Sequence, residues 1–132
     1  MESWGHLSFD LYQQDQVFSI DTGEEDGHRR SGVGIWDRGD YPILEALEAI
    51  TRIRALPQEQ QEGEYKKFFA VHTGDAQRAY LGRAGDGSVG LRPKDKQGHD
   101  RILLRVNVDG TPVLQLLDAN GKMTAQLPPE AQ

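Results

Sequence analysis

Seven side chains toward the C-terminal end hold the chain's densest chemistry: Arg78, Tyr80, Arg92, Lys94, His99, Arg101 and Arg105. Placed on alternating strands they share one face, interrupted by Leu103, Val113 and Leu117. Several cations on one sheet face repel one another unless something anionic lies close. The set therefore reads as a docking surface for an acidic partner or an anionic ligand, with arginine supplying forked donors and Tyr80 a stacking face. The competing reading is a solvated outer face, or a face covered by the chain's own acidic N-terminal third. Leucine and valine among the cations favour partial coverage by protein, whether this chain or a second copy.

The remaining reactive residue types do not form a recognisable constellation. His6, His28, His72 and His99 are scattered without the i,i+4 or H-x-H spacing of a metal site, so no metal is assigned. Asp21, Glu24, Glu25 and Asp26 lie beside Gly23 and Gly27 but lack the alternating ligands of a calcium loop, and read as a solvated turn. Gly32-Val33-Gly34 lacks the third glycine of a dinucleotide loop and reads as a strand with room for a neighbour. None of Ser3, Ser8, Ser19, Ser31 and Ser88 sits in a nucleophile elbow. Arg38-Gly39-Asp40 spells an adhesion tripeptide, yet three residues recur by chance and Asp40 suits a helix N-cap. No catalytic residue and no cofactor are assigned.

Composition narrows the class. At 132 residues the chain is expected to form a single domain, 1–132, and it contains no cysteine, which excludes disulfides and thiolate metal sites. The net charge of −6 argues against a nucleic-acid binder, because phosphate affinity comes from clustered lysine and arginine. Residues 1–62 carry 13 acids against 5 bases, whereas residues 63–132 carry 8 acids against 10 bases. Sequence gives no membrane-length apolar run and no basic, apolar leader at its start, so a cytoplasmic protein without membrane contact is the expectation.

The elements that must position these residues follow from a repeat. Asp86-Gly87-Ser88 returns as Asp109-Gly110-Thr111, Asp95 to Gly98 returns as Asp118 to Gly121, and Leu91 and Leu104 return as Leu114 and Leu127. A constant offset of 23 with two apolar runs per unit is a repeated β-hairpin. Four-residue loops at 95–98 and 118–121 place Leu91 opposite Ile102, Val89 opposite Leu104, Leu116 opposite Met123 and Leu114 opposite Ala125. Three-residue loops at 85–87 and 108–110 place Leu81 opposite Leu91, Leu104 opposite Leu114 and Ile102 opposite Leu116. One face then collects Ala79, Leu81, Val89, Leu91, Ile102, Leu104, Val106, Leu114, Leu116, Met123 and Ala125, and a one-residue slip would turn all of it to solvent.

Upstream, residues 1–40 hold two or three strands, read at 7–11, 17–20 and 31–36. Residues 41–74 form a helical segment, with helices at about 41–56 and 59–72; Asp40 caps the first and Gly74 ends the second. The five-stranded meander at 78–127 needs a lid on its apolar face, and the two helices are the natural one; residues 128–132 are a tail. The fold class is α+β. Trp36, Tyr65 and Phe69 would line an apolar pocket between helices and sheet.

The stretch Tyr80-Leu81-Gly82-Arg83, Asp86-Gly87-Ser88, Leu91, Asp95, Gly98, Arg101-Ile102, Asp109-Gly110, Pro112, Leu116-Leu117-Asp118, Gly121 and Leu127-Pro128, with Trp36-Asp37-Arg38 upstream, resembles a group of uncharacterised bacterial proteins. That group shares a tail of the form G-R-x-x-D-G-S, D-x-x-G-x-x-R, D-G-x-P and L-D-x-x-G-K. The resemblance implies the repeated-hairpin fold and a bacterial origin, and it carries over no catalytic residue. The expected function is a non-enzymatic protein-interaction module, with a protein partner or a second copy bound through the cationic face or the terminal strand. The alternatives are a small-molecule binder using the pocket, and an enzyme of unrecognised type.

Overall fold

Turns chosen by aspartate and glycine set the architecture. The computed structural model describes residues 2–129. In chain order it contains β1 (Ser3–Asp10), β2 (Gln16–Glu25), β3 (His28–Asp37), α1 (Ile43–Arg54), α2 (Gln58–Val71), β4 (Ala76–Arg83), β5 (Val89–Pro93), β6 (Ile102–Val106), β7 (Pro112–Leu117) and β8 (Met123–Leu127). The class is α+β, and all eight strands lie in one antiparallel sheet in the order of the chain. The N-terminal strands thus extend the meander instead of forming a second layer, so it is wider than the five strands expected. β3 and β4 flank the helices in sequence yet pair directly, Val33 opposite Leu81.

Between β2 and β3 the turn is Asp26-Gly27, with φ of 50° and 78° and Glu25 opposite His28. Two positive φ angles in a two-residue loop match the twist of the flanking strands, which is why Asp-Gly serves so well there. In the repeat, Gly87, Gly98, Gly110 and Gly121 all have φ between 79° and 91°. Each donates its N–H three residues back, to Ala84, Asp95, Asn107 and Asp118 at 2.9–3.1 Å. Asp86 Oδ1 accepts from Ser88 N–H and Asp109 Oδ1 from Thr111 N–H, both at 2.9 Å. Asp95 and Asp118 each accept two backbone N–H bonds of 2.8–3.0 Å. The sequence repeat is therefore a repeat of turn hydrogen bonding.

Two of the expected registers shift. Leu91 faces Leu104 instead of Ile102, and Val89 faces Val106. Leu114 faces Leu127 and Leu116 faces Ala125, while Leu117 and not Leu116 faces Met123. Asp95 and Asp118 draw their loops into closed turns of their own, and the ladder resumes beyond them displaced by two residues. Pro93 contributes to the first displacement because it has no N–H to donate; at the second, Thr124 bulges and its hydroxyl donates to Leu116 O at 3.2 Å. A shift of two preserves the face, so the apolar set stays together apart from Met123, which the bulge pairs with Leu117 on the other side. The pairings Leu81–Leu91, Leu104–Leu114 and Ile102–Leu116 are as the sequence predicts.

The first helix falls inside its expected range and the second begins one residue ahead of its own, but Asp40 caps neither. Pro42 and Pro57, in extended conformations, occupy the N-cap positions, and no side chain bonds the first turn at either. Proline pre-sets the backbone angle that leads into a helix and has no N–H to leave unpaired. Ile43 N–H instead donates to Gln13 O at 2.8 Å. The helices pack on each other through Ala49, Ile53 and Phe68, with Ala46 and Tyr65 alongside.

The expected lid does not form. Among the described residues neither helix lies against a strand. The helical pair is held at one end of the sheet, beside the β1–β2 turn, by short links. Arg38 Nε donates to Gln16 O at 2.6 Å and its guanidinium lies 5.3 Å over the Trp36 ring. Asp75 accepts from Gly39 N–H at 2.8 Å and from the Tyr41 hydroxyl, and Tyr41 meets Phe68 edge-on. Burial together with that bond to Asp75 raises the Tyr41 pKa to about 12. Among the described residues the buried apolar side chains are Tyr41, Ala49, Ile53, Phe68 and Ala76, all in the helices or at this junction.

Candidate interaction surface

The register carries one row of aliphatic residues from edge to edge. Leu7 faces Ile20 and Ile20 faces Val33. Val33 faces Leu81, Leu81 faces Leu91, and Leu91 faces Leu104. Leu104 faces Leu114, and Leu114 faces Leu127. Every strand contributes one residue, and directly opposed residues point to the same side of a sheet. A second row beside it runs Phe9, Phe18, Ile35, Ala79 and Pro93, and resumes in Ile102, Leu116 and Ala125.

This face is open. Leu7 is 54% exposed, Ile20 45%, Leu81 53%, Leu104 49% and Leu127 62%. Among the described residues nothing covers them, because the helices that would do so sit at the sheet's end. Single exposed leucines are ordinary on protein surfaces; a continuous band of them across eight strands is not. Part of the row escapes a reading confined to the meander: Leu7, Ile20, Val33 and Leu127. The signal for Ile20 and Val33 was present in Asp26-Gly27, since a two-residue loop there puts the one opposite the other.

No protein-family model, curated protein or solved structure matches this chain.

The opposite face is built from small and polar residues. One row runs His6, Asp21, Gly32, Gly82, Gly90, Arg105 and Val113. The Tyr80 ring lies across Gly32 and Gly82, where a Cβ on either glycine would collide with it, and Trp36 lies against Gly34 in the same way. Glycine in these strands makes room for two aromatic rings that lie flat on the sheet. Burial, and then the nearby Asp21 carboxylate, hold the Tyr80 phenol above its ordinary pKa. Burial pushes Asp21 itself up, but hydrogen bonds from His6 and Ser19 outweigh that and leave it below the ordinary value.

The seven candidate binding residues do gather near this face, and carboxylates of the same chain answer most of their charge. Arg78 pairs with Asp37 at 2.6 Å and donates to Lys94 O at 3.2 Å. Asp100 takes Arg92 and, at 3.4 Å, Lys94. Asp95 lies 3.5 Å from His99 and 3.6 Å from Arg101, whose Nε also donates to Leu117 O at 3.0 Å. Arg105 forms no ion pair among the described residues. Most of the anion that the cations call for is supplied by Asp95 and Asp100 of the meander, and the acidic N-terminal third adds Asp37, at the end of β3, against Arg78.

The candidate pocket is not assembled. Trp36 lies on the sheet beside Gly34, Tyr65 and Phe69 are on α2, and among the described residues no cavity is lined by all three. Phe69 instead borders a hollow of about 200 Å³ with Arg38, Tyr41 and Ile43 at the helix–turn junction. The histidines stay apart: His6 pairs with Asp21, His28 lies 3.1 Å from Gly85 O, His72 bonds within the helical pair and His99 is in the 95–99 turn. Among the described residues no three histidine or carboxylate side chains converge as a metal site would require, and no helix is long and apolar enough to cross a membrane.

Proposed function

We propose that this chain is a non-enzymatic protein-interaction module whose working surface is the aliphatic face of its sheet. The observation that carries this reading is the unbroken row from Leu7 to Leu127, left open by the chain's own helices. A soluble monomer seldom exposes a contiguous apolar patch larger than a few hundred Å². A protein surface fits this face better than a small molecule does, because small ligands are held in concave sites and a sheet face offers a broad flat one. The cationic face is the weaker candidate, since Asp37, Asp95 and Asp100 already neutralise most of it.

Light scattering after size exclusion, combined with the fluorescence of anilinonaphthalene sulfonate, tests the reading. The purified chain is expected either to assemble and exclude the dye, or to run as a monomer and light it up. Leu81→Asp on the row should alter mass or dye signal, whereas Arg105→Glu on the other face should leave both as they are. A monomeric wild type that leaves the dye dark would mean the face is already covered, and the proposal would fall.

A further inference from the structure

The occupant of this face can be identified by its symmetry, area and charge. Resting on the reading above, we infer that a second copy of the chain covers it, face to face, about a twofold axis parallel to the strands and midway between β4 and β5. An interface between identical chains must be self-complementary. The aliphatic row meets that condition because its members stand at one height on the sheet, one per strand. The axis lays Leu81 over Leu91 of the second copy and Leu7 over Leu127, so the row is matched along its whole length.

Area is sufficient. Eight strands about 4.8 Å apart, with a common height of about five residues, present roughly 650 Å² of face per copy. Two such faces cover roughly 1,300 Å² before side-chain relief is counted, within the range of specific interfaces. Twisted sheets also stack readily with their strands nearly aligned, the arrangement of a β-sandwich.

Charge selects the axis. Residues 1–37, which hold β1 to β3, carry eight acids and two bases; residues 86–127, which hold β5 to β8, carry five acids and six bases. An axis parallel to the strands sets the acidic edge of each copy over the neutral-to-basic edge of the other. The other face-to-face twofold, perpendicular to the strands, would set β1 over β1 and acid over acid, which like-charge repulsion disfavours.

The absence of cysteine makes thiol cross-linking a clean test. Stacked sheets lie about 10 Å apart, beyond the reach of a disulfide, so a short bismaleimide is the linker to use. Leu7→Cys and Leu127→Cys chains are made separately and then mixed. Within one chain these positions lie on opposite edges, on β1 and β8. The expected result is a covalent dimer in the mixture and none from either variant alone. Cross-linking of Leu7→Cys to itself would overturn the proposed axis. The wild type needs no substitution: light scattering should give twice the chain mass, with the dye excluded. A monomer that lights the dye would overturn the second copy as occupant and leave the interaction surface standing, whereas a dark monomer would remove both.

Discussion

His72 is the residue at which the helical pair depends on a proton. Its Nδ1 lies 2.9 Å from Phe68 O and its Nε2 3.0 Å from Glu45 Oε1, while the ring stacks on Phe68 at 4.0 Å. Both partners are acceptors, so both bonds are complete only when each nitrogen carries a hydrogen, in the imidazolium form. The Phe68 carbonyl first, and then the Glu45 carboxylate, hold its pKa above the ordinary 6.5 against an opposing contribution from burial. A raised folded-state pKa means that the stabilisation is full below about 6.5 and disappears as pH rises through the folded value. The ring protons of His72 should titrate above 6.5, and thermal stability of the wild type should decline with rising pH more than that of His72→Gln. A midpoint at or below 6.5, or parallel declines, would refute this role. Little of this was legible in the sequence, where His72 stood merely as the last residue of a helix. Gly32-Val33-Gly34 was more readable: it reads as a strand with room for a neighbour, and Tyr80 and Trp36 are those neighbours.

At the level of elements, the sheet and the helical pair are joined but not interleaved. Asp37 and Ala76 are cross-strand partners, so β3 and β4 would close into a hairpin if the chain between them were replaced by Asn-Gly. Removing residues 38–75 in this way is expected to keep the strand signature in circular dichroism and to leave self-association intact. Loss of the sheet on excision would show that the helices support it after all. The sequence disclosed the hairpins well because their turns are local: an aspartate accepts from the N–H two residues on, and a glycine takes the positive φ. It disclosed the register to within a slip of two, since Asp95 and Asp118 close their loops before the ladder begins, and face assignment survives an even slip. Helix ranges were also readable, to within about two residues at each end. Where the helices go was not. That is settled by Arg38, Tyr41 and Asp75 in the links, whose bonds span up to 36 positions in the chain, and no periodicity announces them.

For the molecule as a whole, the aliphatic face was legible but its cover was not. The same alternation that groups Leu81, Leu91, Leu104 and Leu114 on one side demands a lid, and the two helices were its natural candidates. Their placement at the sheet's end leaves that demand unmet among the described residues, and the proposed second copy would meet it. Among the described residues buried apolar side chains are few, confined to the helices and their junction, so a lone chain withdraws little of its sheet from water. Fully burying one leucine, in contrast, is worth about 1.5–3 kcal/mol, and each copy brings a full row of aliphatic side chains to the interface. On the proposed pairing, folding of the sheet and association of two copies are one transition, and stability becomes a function of protein concentration. Unfolding a dimer to two free chains gains about 1.4 kcal/mol in apparent stability for each tenfold rise in concentration. Urea midpoints measured at two concentrations a factor of about ten apart should therefore differ, the denser sample unfolding later. Leu81→Asp should abolish that difference together with the dimer. Coincident midpoints for the wild type would mean that a single copy sustains its eight strands unaided, and the coupling of folding to assembly would be wrong.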